Sequence, residues 1–268
     1  MNRIDRRFTE LKTAGRTGLI PFITAGDPAP EQMLAIMHAL VESGADLIEL
    51  GVPFSDPMAD GPVIQHASER AIAHGVGLSD VLGWVAAFRQ NDQHTPIVLM
   101  GYLNPLEIHG YQRFAEEAVA AGVDGVLVVD CPIEEAAVLA PLKAAGLSQI
   151  LLAAPTTAPE RMAQLCEAAE GFLYYVSFAG ITGAARLITG DIAERVADIR
   201  RRSRAPVAVG FGVRDAVSAK AIADFADAVV IGSALVQRLA GAPQADEAVA
   251  RVRDFLSPIR AALDAPRD

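Results

Sequence analysis

The sequence predicts one α/β domain over residues 1–268, a closed (β/α)8 barrel with an additional N-terminal helix. Short β-like runs alternate with longer helical patterns from end to end, and this alternation is typical of βαβ units around a parallel sheet. Several helices also end in the same kind of small-residue turn before the next strand. The length of 268 residues agrees, since such barrels commonly form one domain of about 250 residues.

The strands are predicted from eight apolar runs, most of them without strict alternation of polar and apolar residues. Such runs are expected where helices cover a parallel sheet on both faces. The predicted strands are residues 19–24, 46–50, 97–100, 125–129, 150–153, 172–177, 206–210 and 228–231. The start of the chain, MNRIDRRFTELKTAG, has the pattern of an amphipathic helix.

Four helix-to-strand junctions contain a glycine at the same place. The segments ESGADLIEL, AAGVDGVLVV, KAAGLSQILL and EAAEGFLYY each join a helical pattern to an apolar run through this glycine. Glycine supplies the left-handed cap that ends a helix. Eight units favour a closed TIM barrel over a flavodoxin-like or Rossmann sheet, which has fewer strands and usually a G-x-G-x-x-G motif after the first one. Here the first strand continues into TAGDP.

The composition argues against several classes of function. Hydrophobic residues make up 51% of the chain, which is enough to bury a large core. The net charge of -10 and the pI near 5.0 disfavour nucleic acid, whose backbone is bound by clustered Lys and Arg. Cys131 and Cys166 resemble neither a disulfide framework nor a metal cluster, and the five histidines show no metal-ligand spacing. No stretch has the length of a membrane span, so a cytoplasmic enzyme is expected.

The most informative segment follows the second strand, where DLIEL leads into GVPFSDPMADGPVIQ. Active sites of such barrels form from loops at the C-terminal ends of the strands. Glu49 interrupts an apolar strand, so its carboxylate must be paired or have its pKa raised by desolvation. Both a general acid/base and a structural carboxylate fit this position. Asp56 and Asp60 lie in the loop beside Pro or Gly, where Asp also serves simply to cap a turn.

Glycine-rich segments follow the last three strands: AGITGA, GFGVRD and IGSALV. In this class of barrel, the loops after strands seven and eight often hold a phosphate through backbone N–H groups and the N-terminus of a short helix. Gly212, Gly232 and Ser233 are therefore predicted to bind phosphate, with the Ser233 hydroxyl as a further donor. The alternative is that these glycines only turn the chain.

Several large side chains stand at or beyond strand ends. They are Phe22, Tyr102, Leu127 and Tyr174. Such residues wall a flat aromatic ligand in some proteins and belong to the core in others, and the sequence pattern is compatible with both.

Six segments taken together resemble successive signature segments of the tryptophan synthase α subunit family. They are PFITAGDP, LIELGVPFSDPMADGPVIQ, GYLNP, YYVSFAGITG, GFGV and IGSALV, and they span nearly the whole chain. The resemblance implies a carbon–carbon lyase that cleaves indole-3-glycerol phosphate to indole and glyceraldehyde 3-phosphate in tryptophan biosynthesis. It also implies an αββα complex in which the indole is channelled to a β subunit. That partner carries pyridoxal phosphate (PLP), and no cofactor is implied for this chain.

Residue roles follow from the resemblance by position. It implies that Glu49 is the acid/base and that Asp60 holds the indole N–H. It implies that AGITGA is a mobile lid, with Thr182 contacting Asp60 on closure. The implied indole pocket comprises Phe22, Met100, Tyr102, Leu127 and Tyr174, and the implied phosphate site comprises Gly183, Gly212, Gly232 and Ser233, without a metal. The residues implied to face the β subunit are Pro53, Asp56, Pro57 and Asn104.

The chain departs from the family pattern at a few positions. Met58 and Met100 stand where Leu is frequent, a change that conserves volume. Val63 stands where Thr is common, which removes a hydroxyl near the acidic loop.

Three alternative functions remain open at this point. A free-standing indole-3-glycerol phosphate lyase would use the same site and differ only in lacking the partner. A non-catalytic barrel that activates a β subunit would not need both Glu49 and Asp60. A different phosphate-binding barrel would need a His or Lys beside the carboxylate, as in an isomerase, or a strand-borne Lys, as in an aldolase. Every lysine of this chain falls in a helical pattern, namely Lys12, Lys143 and Lys220.

Overall fold

The computed structural model describes residues 2–176, 185–210 and 212–266. Its strands are β1 (Gly18–Thr24), β2 (Ile48–Gly51), β3 (Ile97–Gly101), β4 (Gly125–Val128), β5 (Ser148–Gln149), β6 (Leu151–Ala153), β7 (Leu173–Val176), β8 (Val207–Gly210) and β9 (Ala228–Ile231). All the pairings among them are parallel, and the strand order is β5-β4-β3-β2-β1-β9-β8-β7-β6.

Helices alternate with these strands as the sequence pattern predicts. They are α1 (Arg3–Ala14), α2 (Met33–Glu42), α3 (Pro62–Ala73), α4 (Leu78–Phe88), α5 (Leu103–His109), α6 (Tyr111–Ala121), α7 (Ala140–Ala144), α8 (Pro159–Ala168), α9 (Ala185–Arg202), α10 (Ala216–Ala223), α11 (Ser233–Leu239) and α12 (Ala245–Asp264), with 3-10 turns at Pro30–Gln32 and Ile133–Leu139. Among the described residues, no helix by itself is long and apolar enough to cross a membrane, whereas α3 and α4 together, bent by 94°, have the length and composition to do so.

A single residue, Ile150, joins the two ends of the strand order. β5 pairs with β4, and β6 pairs with β7. Between them, the backbone N–H of Ile150 donates to the carbonyl of Val126 at 2.9 Å. β5 and β6 therefore act as one barrel strand that pairs on one side in its first part and on the other side in its second. The predicted (β/α)8 barrel is confirmed, with the fifth predicted strand beginning at Ser148 instead of Ile150.

Helix α1 covers the N-terminal end of the barrel. Its buried face, Ile4, Phe8 and Leu11, packs into the same cluster as the inward-facing strand residues. Glycines below it make the close approach possible, because a Cβ at Gly18 would lie 3.1 Å from Leu11 Cδ1, and one at Gly125 would lie 3.1 Å from Ile4 Cδ1. A ligand that enters the barrel must therefore do so from the opposite, C-terminal end.

Three aspartates just before strands tie the N-terminal end of the sheet together. Each carboxylate accepts a hydrogen bond from the N–H of the first or second residue of the neighbouring strand and forms an ion pair with an arginine. The N–H to carboxylate distance is 2.9 Å for Leu19 to Asp46, for Ile97 to Asp124 and for Val207 to Asp227. The paired arginines are Arg260, Arg89 and Arg200, respectively. These links fix the register of neighbouring strands at the N-terminal end of the barrel, whereas the active sites of such barrels lie at the C-terminal end.

Candidate active site

Glu49 lies inside the barrel on β2. It is 0% exposed and stands in register between Phe22 of β1 and Val98 of β3. Neither carboxylate oxygen has a hydrogen-bond partner among the residues that the structure describes. Burial, and in second place the negative charge of Asp60, raise the pKa of Glu49 to about 8. Glu49 therefore keeps its proton at neutral pH.

Asp60 faces Glu49 from the loop that follows β2. This loop is held at the end of β3, because the N–H of Ala59 donates to the Tyr102 hydroxyl at 3.1 Å. It is also held by α3, where Gln65 Nε2 donates to the Asp60 carbonyl at 2.9 Å. Burial raises the pKa of the Asp60 carboxyl, and the interaction with the Tyr102 hydroxyl opposes that rise. Asp60 thus shares the site with a buried, protonated carboxyl.

A pocket opens at the C-terminal ends of β1, β2 and β3. Asp60 and three of the residues predicted for the indole pocket, Phe22, Met100 and Tyr102, line it. Gly51 leaves room for the Phe22 ring, because a Cβ at this position would lie 2.6 Å from Phe22 Cζ. The aromatic ring therefore covers the end of the strand that carries Glu49.

Leu127 and Tyr174, the other predicted pocket residues, lie in the barrel interior. Leu127 is fully buried in register with Met100, and both pack in one cluster with Tyr174. Burial and the nearby Glu49 raise the pKa of the Tyr174 hydroxyl well above its usual value. A Cβ at Gly210 would collide with this hydroxyl, so the glycine makes room for it. The structure thus brings Tyr174 and, in the strand register, Phe22 next to Glu49, and it packs Leu127 and Met100 in one cluster with Tyr174.

The predicted phosphate residues lie at the ends of β8 and β9. Gly212 has a φ of 52°, in the left-handed region that favours glycine. Gly232 precedes α11, and Ser233 is the exposed first residue of that helix. A Cβ at Gly232 would lie 3.6 Å from the Cβ of Phe22, so this helix start is close to the pocket. Thr182 and Gly183, together with the rest of AGITGA up to residue 184, lie outside the described residues.

The residues predicted to face a partner differ in their exposure. Asp56 and Asn104 are exposed, Pro57 is half-buried and Pro53 is buried. Met58, which the sequence pattern marked only as a conservative variation, is 84% exposed in the same loop. The outer part of this loop is therefore available to another protein, while the side chain of Pro53 lies beneath it.

Sequence reasoning did not single out Thr24, Gly51 or Ser68, which line the same pocket. The Thr24 hydroxyl is buried and has no partner among the described residues. A polar side chain at the end of an apolar strand was the available signal for Thr24, whereas Ser68 resembles any small helix residue. Within the described part of the chain, no group of three or more His, Cys, Asp or Glu side chains could hold a metal ion.

Comparisons with known proteins identify the family of this chain. The family model described as tryptophan synthase alpha chain matches residues 8–263. The tryptophan synthase alpha chain of Xylella fastidiosa (strain 9a5c) is 59% identical over 99% of both chains, and that of Xanthomonas oryzae pv. oryzae (strain MAFF 311018) is 58% identical over 98% of this chain and 99% of the relative.

Solved structures show the same similarity. The tryptophan synthase subunit alpha from Legionella pneumophila str. Paris superposes with a TM-score of 0.91 at 45% identity, covering 98% of this chain and 99% of that one. A structure of Mycobacterium tuberculosis tryptophan synthase superposes with a TM-score of 0.88 at 37% identity, covering 99% of both chains. By sequence over nearly its whole length and by fold, the chain belongs to the tryptophan synthase alpha chain family.

Proposed function

We propose that this chain, as one domain over residues 1–268, is the lyase subunit that cleaves indole-3-glycerol phosphate to indole and D-glyceraldehyde 3-phosphate in tryptophan biosynthesis. The observation that carries the proposal is the buried Glu49 carboxyl, which has no hydrogen-bond partner among the described residues and has a pKa of about 8. A general acid works best when its pKa lies near the operating pH. Glu49 therefore enters the reaction with a proton to donate.

The reaction needs two proton transfers, and Glu49 serves both. It first donates its proton to C3 of the indole ring. Asp60 stabilises the positive charge that develops on the ring through the indole N–H. The Glu49 carboxylate then removes the proton of the glycerol hydroxyl, the carbon–carbon bond breaks, its electron pair returns to the ring, and the aldehyde leaves. Glu49 ends with a proton, as it began, and each such transfer contributes about two to four orders of magnitude in rate.

The remaining site residues bind the two ends of the substrate. Phe22, Met100, Tyr102, Leu127 and Tyr174 surround the indole ring, which suits their aromatic and aliphatic character. In the proposed site the phosphate is bound by Gly183, Gly212, Gly232 and Ser233. Backbone N–H groups at the start of α11 and the Ser233 hydroxyl are suitable donors for this anion. Thr182 is proposed to contact Asp60.

The partner is proposed to be a tryptophan synthase β subunit that carries PLP and receives the indole. Asp56, Pro57 and Asn104 are proposed to contact it, with Pro53 supporting the loop from below. The exposure of Asp56, Asn104 and Met58 supports this assignment over a free-standing lyase. A non-catalytic activator would not need a buried acid beside a second carboxyl. The proposed location of the complex is the cytoplasm.

The test measures the release of indole and glyceraldehyde 3-phosphate from indole-3-glycerol phosphate, with and without a β subunit. Glu49→Gln should abolish turnover, whereas Glu247→Gln, at an exposed ion pair of α12, should not change it. The kcat/KM of the wild type should fall above about pH 8, because Glu49 then loses the proton that it donates. No turnover in any mixture would refute the lyase, and turnover that a β subunit leaves unchanged would favour the free-standing enzyme.

A further inference from the structure

We propose that the ion pair between Asp27 and Arg70 positions Asp60 for catalysis, a role that rests on the proposed function. Asp27 lies in the turn after β1, and Arg70 lies on α3, the helix that begins just after Asp60. Neither side chain lines the pocket described above. Both are therefore positioning residues that act through the helix.

The pair has a geometry that fixes orientation as well as distance. Arg70 Nε donates to Asp27 Oδ1 at 2.7 Å, and Arg70 Nη2 donates to Asp27 Oδ2 at 3.1 Å. Two parallel hydrogen bonds from one guanidinium fix the orientation of the guanidinium plane relative to the carboxylate plane. The Asp27 side chain is 2% exposed and that of Arg70 is 38% exposed. Removing the arginine would leave a buried carboxylate without its partner, which is strongly unfavourable.

The turn that carries Asp27 is itself packed against the end of α3. The N–H of Asp27 donates to the carbonyl of Thr24, the pocket residue at the end of β1, at 3.2 Å. Gly26 has a φ of 87°, and a Cβ there would lie 2.6 Å from Val76 Cγ2. Val76 lies three residues after the end of α3, and its N–H donates to the carbonyl of Ala71 in that helix at 3.2 Å. The turn after β1 therefore fixes the C-terminal half of α3.

The other end of the same helix reaches the catalytic loop. Gln65 Nε2 donates to the Asp60 carbonyl at 2.9 Å, and Ile64 and Ser68 of α3 line the pocket. Gln65 and Arg70 are separated by only about 7.5 Å along the helix axis, at about 1.5 Å per residue. A helix transmits a displacement over this distance as a rigid body. A shift of α3 at Arg70 therefore moves Gln65, and with it the backbone of Asp60.

The expected effect is on kcat more than on KM. Asp60 is proposed to stabilise a charge that exists mainly in the transition state, and such interactions lose strength steeply when the groups are misplaced. Arg70→Gln should therefore lower kcat by about tenfold and change KM by no more than about twofold. Arg70→Lys keeps the charge without the two-pronged geometry, so it should recover part of the lost kcat.

The control is Arg200→Gln, measured in the same way. Arg200 also makes two hydrogen bonds to a carboxylate, that of Asp227, and its side chain is 39% exposed, but it lies at the N-terminal end of the barrel. Both Gln variants lose one ion pair, and only Arg70→Gln should lose kcat. Circular dichroism gives the unfolding transition of each variant, and steady-state rates are measured at temperatures below that transition. If Arg70→Gln fails to fold, Arg70→Lys takes its place in the comparison.

The outcomes separate the two proposals. Lower kcat in Arg70→Gln, partial recovery in Arg70→Lys and unchanged kcat in Arg200→Gln would support the positioning role. An active wild type with equal kcat in all variants would overturn the positioning role and leave the lyase intact. Equal losses in Arg70→Gln and Arg200→Gln would also overturn it, because the effect would then follow stability alone. A wild type that releases no indole would overturn both proposals.

Discussion

Replacing Glu49 by Gln should stabilise the folded protein at neutral and alkaline pH while abolishing its activity. Burial and Asp60 raise the pKa of the Glu49 carboxyl from 4.5 to about 8. At a pH between these two pKa values, the Glu49 carboxyl has lost its proton in the unfolded chain and has kept it in the folded chain. Folding must then restore the proton, so the free energy of unfolding falls as the pH rises through this window. Gln does not titrate and is free of this cost.

The size of the effect follows from the shift. At about 1.36 kcal/mol per pKa unit, a rise from 4.5 to about 8 corresponds to about 4 to 5 kcal/mol over the whole window. Between pH 5 and pH 8 the wild type should lose about 3 kcal/mol relative to Glu49→Gln, because most of the window lies between these two pH values. Below about pH 4 both side chains are neutral in the folded and the unfolded state, so the difference becomes independent of pH.

Urea unfolding at pH 5 and pH 8 measures this difference. The fluorescence of the single tryptophan, Trp84 on the half-buried face of α4, and the far-ultraviolet circular dichroism give two independent signals. Glu247→Gln on the surface of α12 should follow the wild type at both pH values. A stability difference between wild type and Glu49→Gln that is the same at pH 5 and pH 8 would show that Glu49 titrates near its ordinary pKa. The proposed proton donor would then lose its physical basis.

Three further substitutions test other parts of the structure. Asp60→Asn should lower kcat by about 10² to 10³ and change KM only a few-fold in steady-state assays, and a rise in KM alone would contradict its role in the transition state. Gly51→Ala should cost about 1 to 3 kcal/mol in urea unfolding, since its Cβ would lie 2.6 Å from Phe22 Cζ, and an unchanged midpoint would contradict the close packing. Asp124→Ala should cost about 3 to 5 kcal/mol because it leaves Arg89 buried without its partner, and kcat per folded molecule should not change.

The fold was predictable because helical and strand patterns alternate along the whole chain. The strand boundaries were less predictable, and the reason lies in particular side chains. The second strand was predicted to begin at Asp46, whereas β2 begins at Ile48. The Asp46 carboxylate accepts hydrogen bonds from the Leu19 N–H and from the guanidinium of Arg260. The sequence also gave no sign that Ile150 divides the fifth strand, since that division depends on which neighbour each part pairs with.

The candidate site was predictable only in part. Glu49 stood out because a carboxyl in an apolar strand has a physical cost, and the loop after it stood out by its length. The pair of Asp27 and Arg70 gave no such signal, because each residue is ordinary in its own segment and the two are 43 positions apart in the sequence, so that only the fold brings them together. The burial of Pro53 likewise depends on how the loop closes over it.

The contrast between Asp46 and Glu49 shows what decides the role of a carboxyl in this barrel. The two residues are close in sequence at β2 and both are buried. Burial raises the pKa of the Asp46 carboxyl as well, but the N–H of Leu19 and the guanidinium of Arg260 oppose the rise. Glu49 has no partner among the described residues and lies beside a second acid. At the N-terminal end of the strand a carboxyl is thus satisfied and stabilises the register, whereas near the C-terminal end it keeps a proton that a substrate can take.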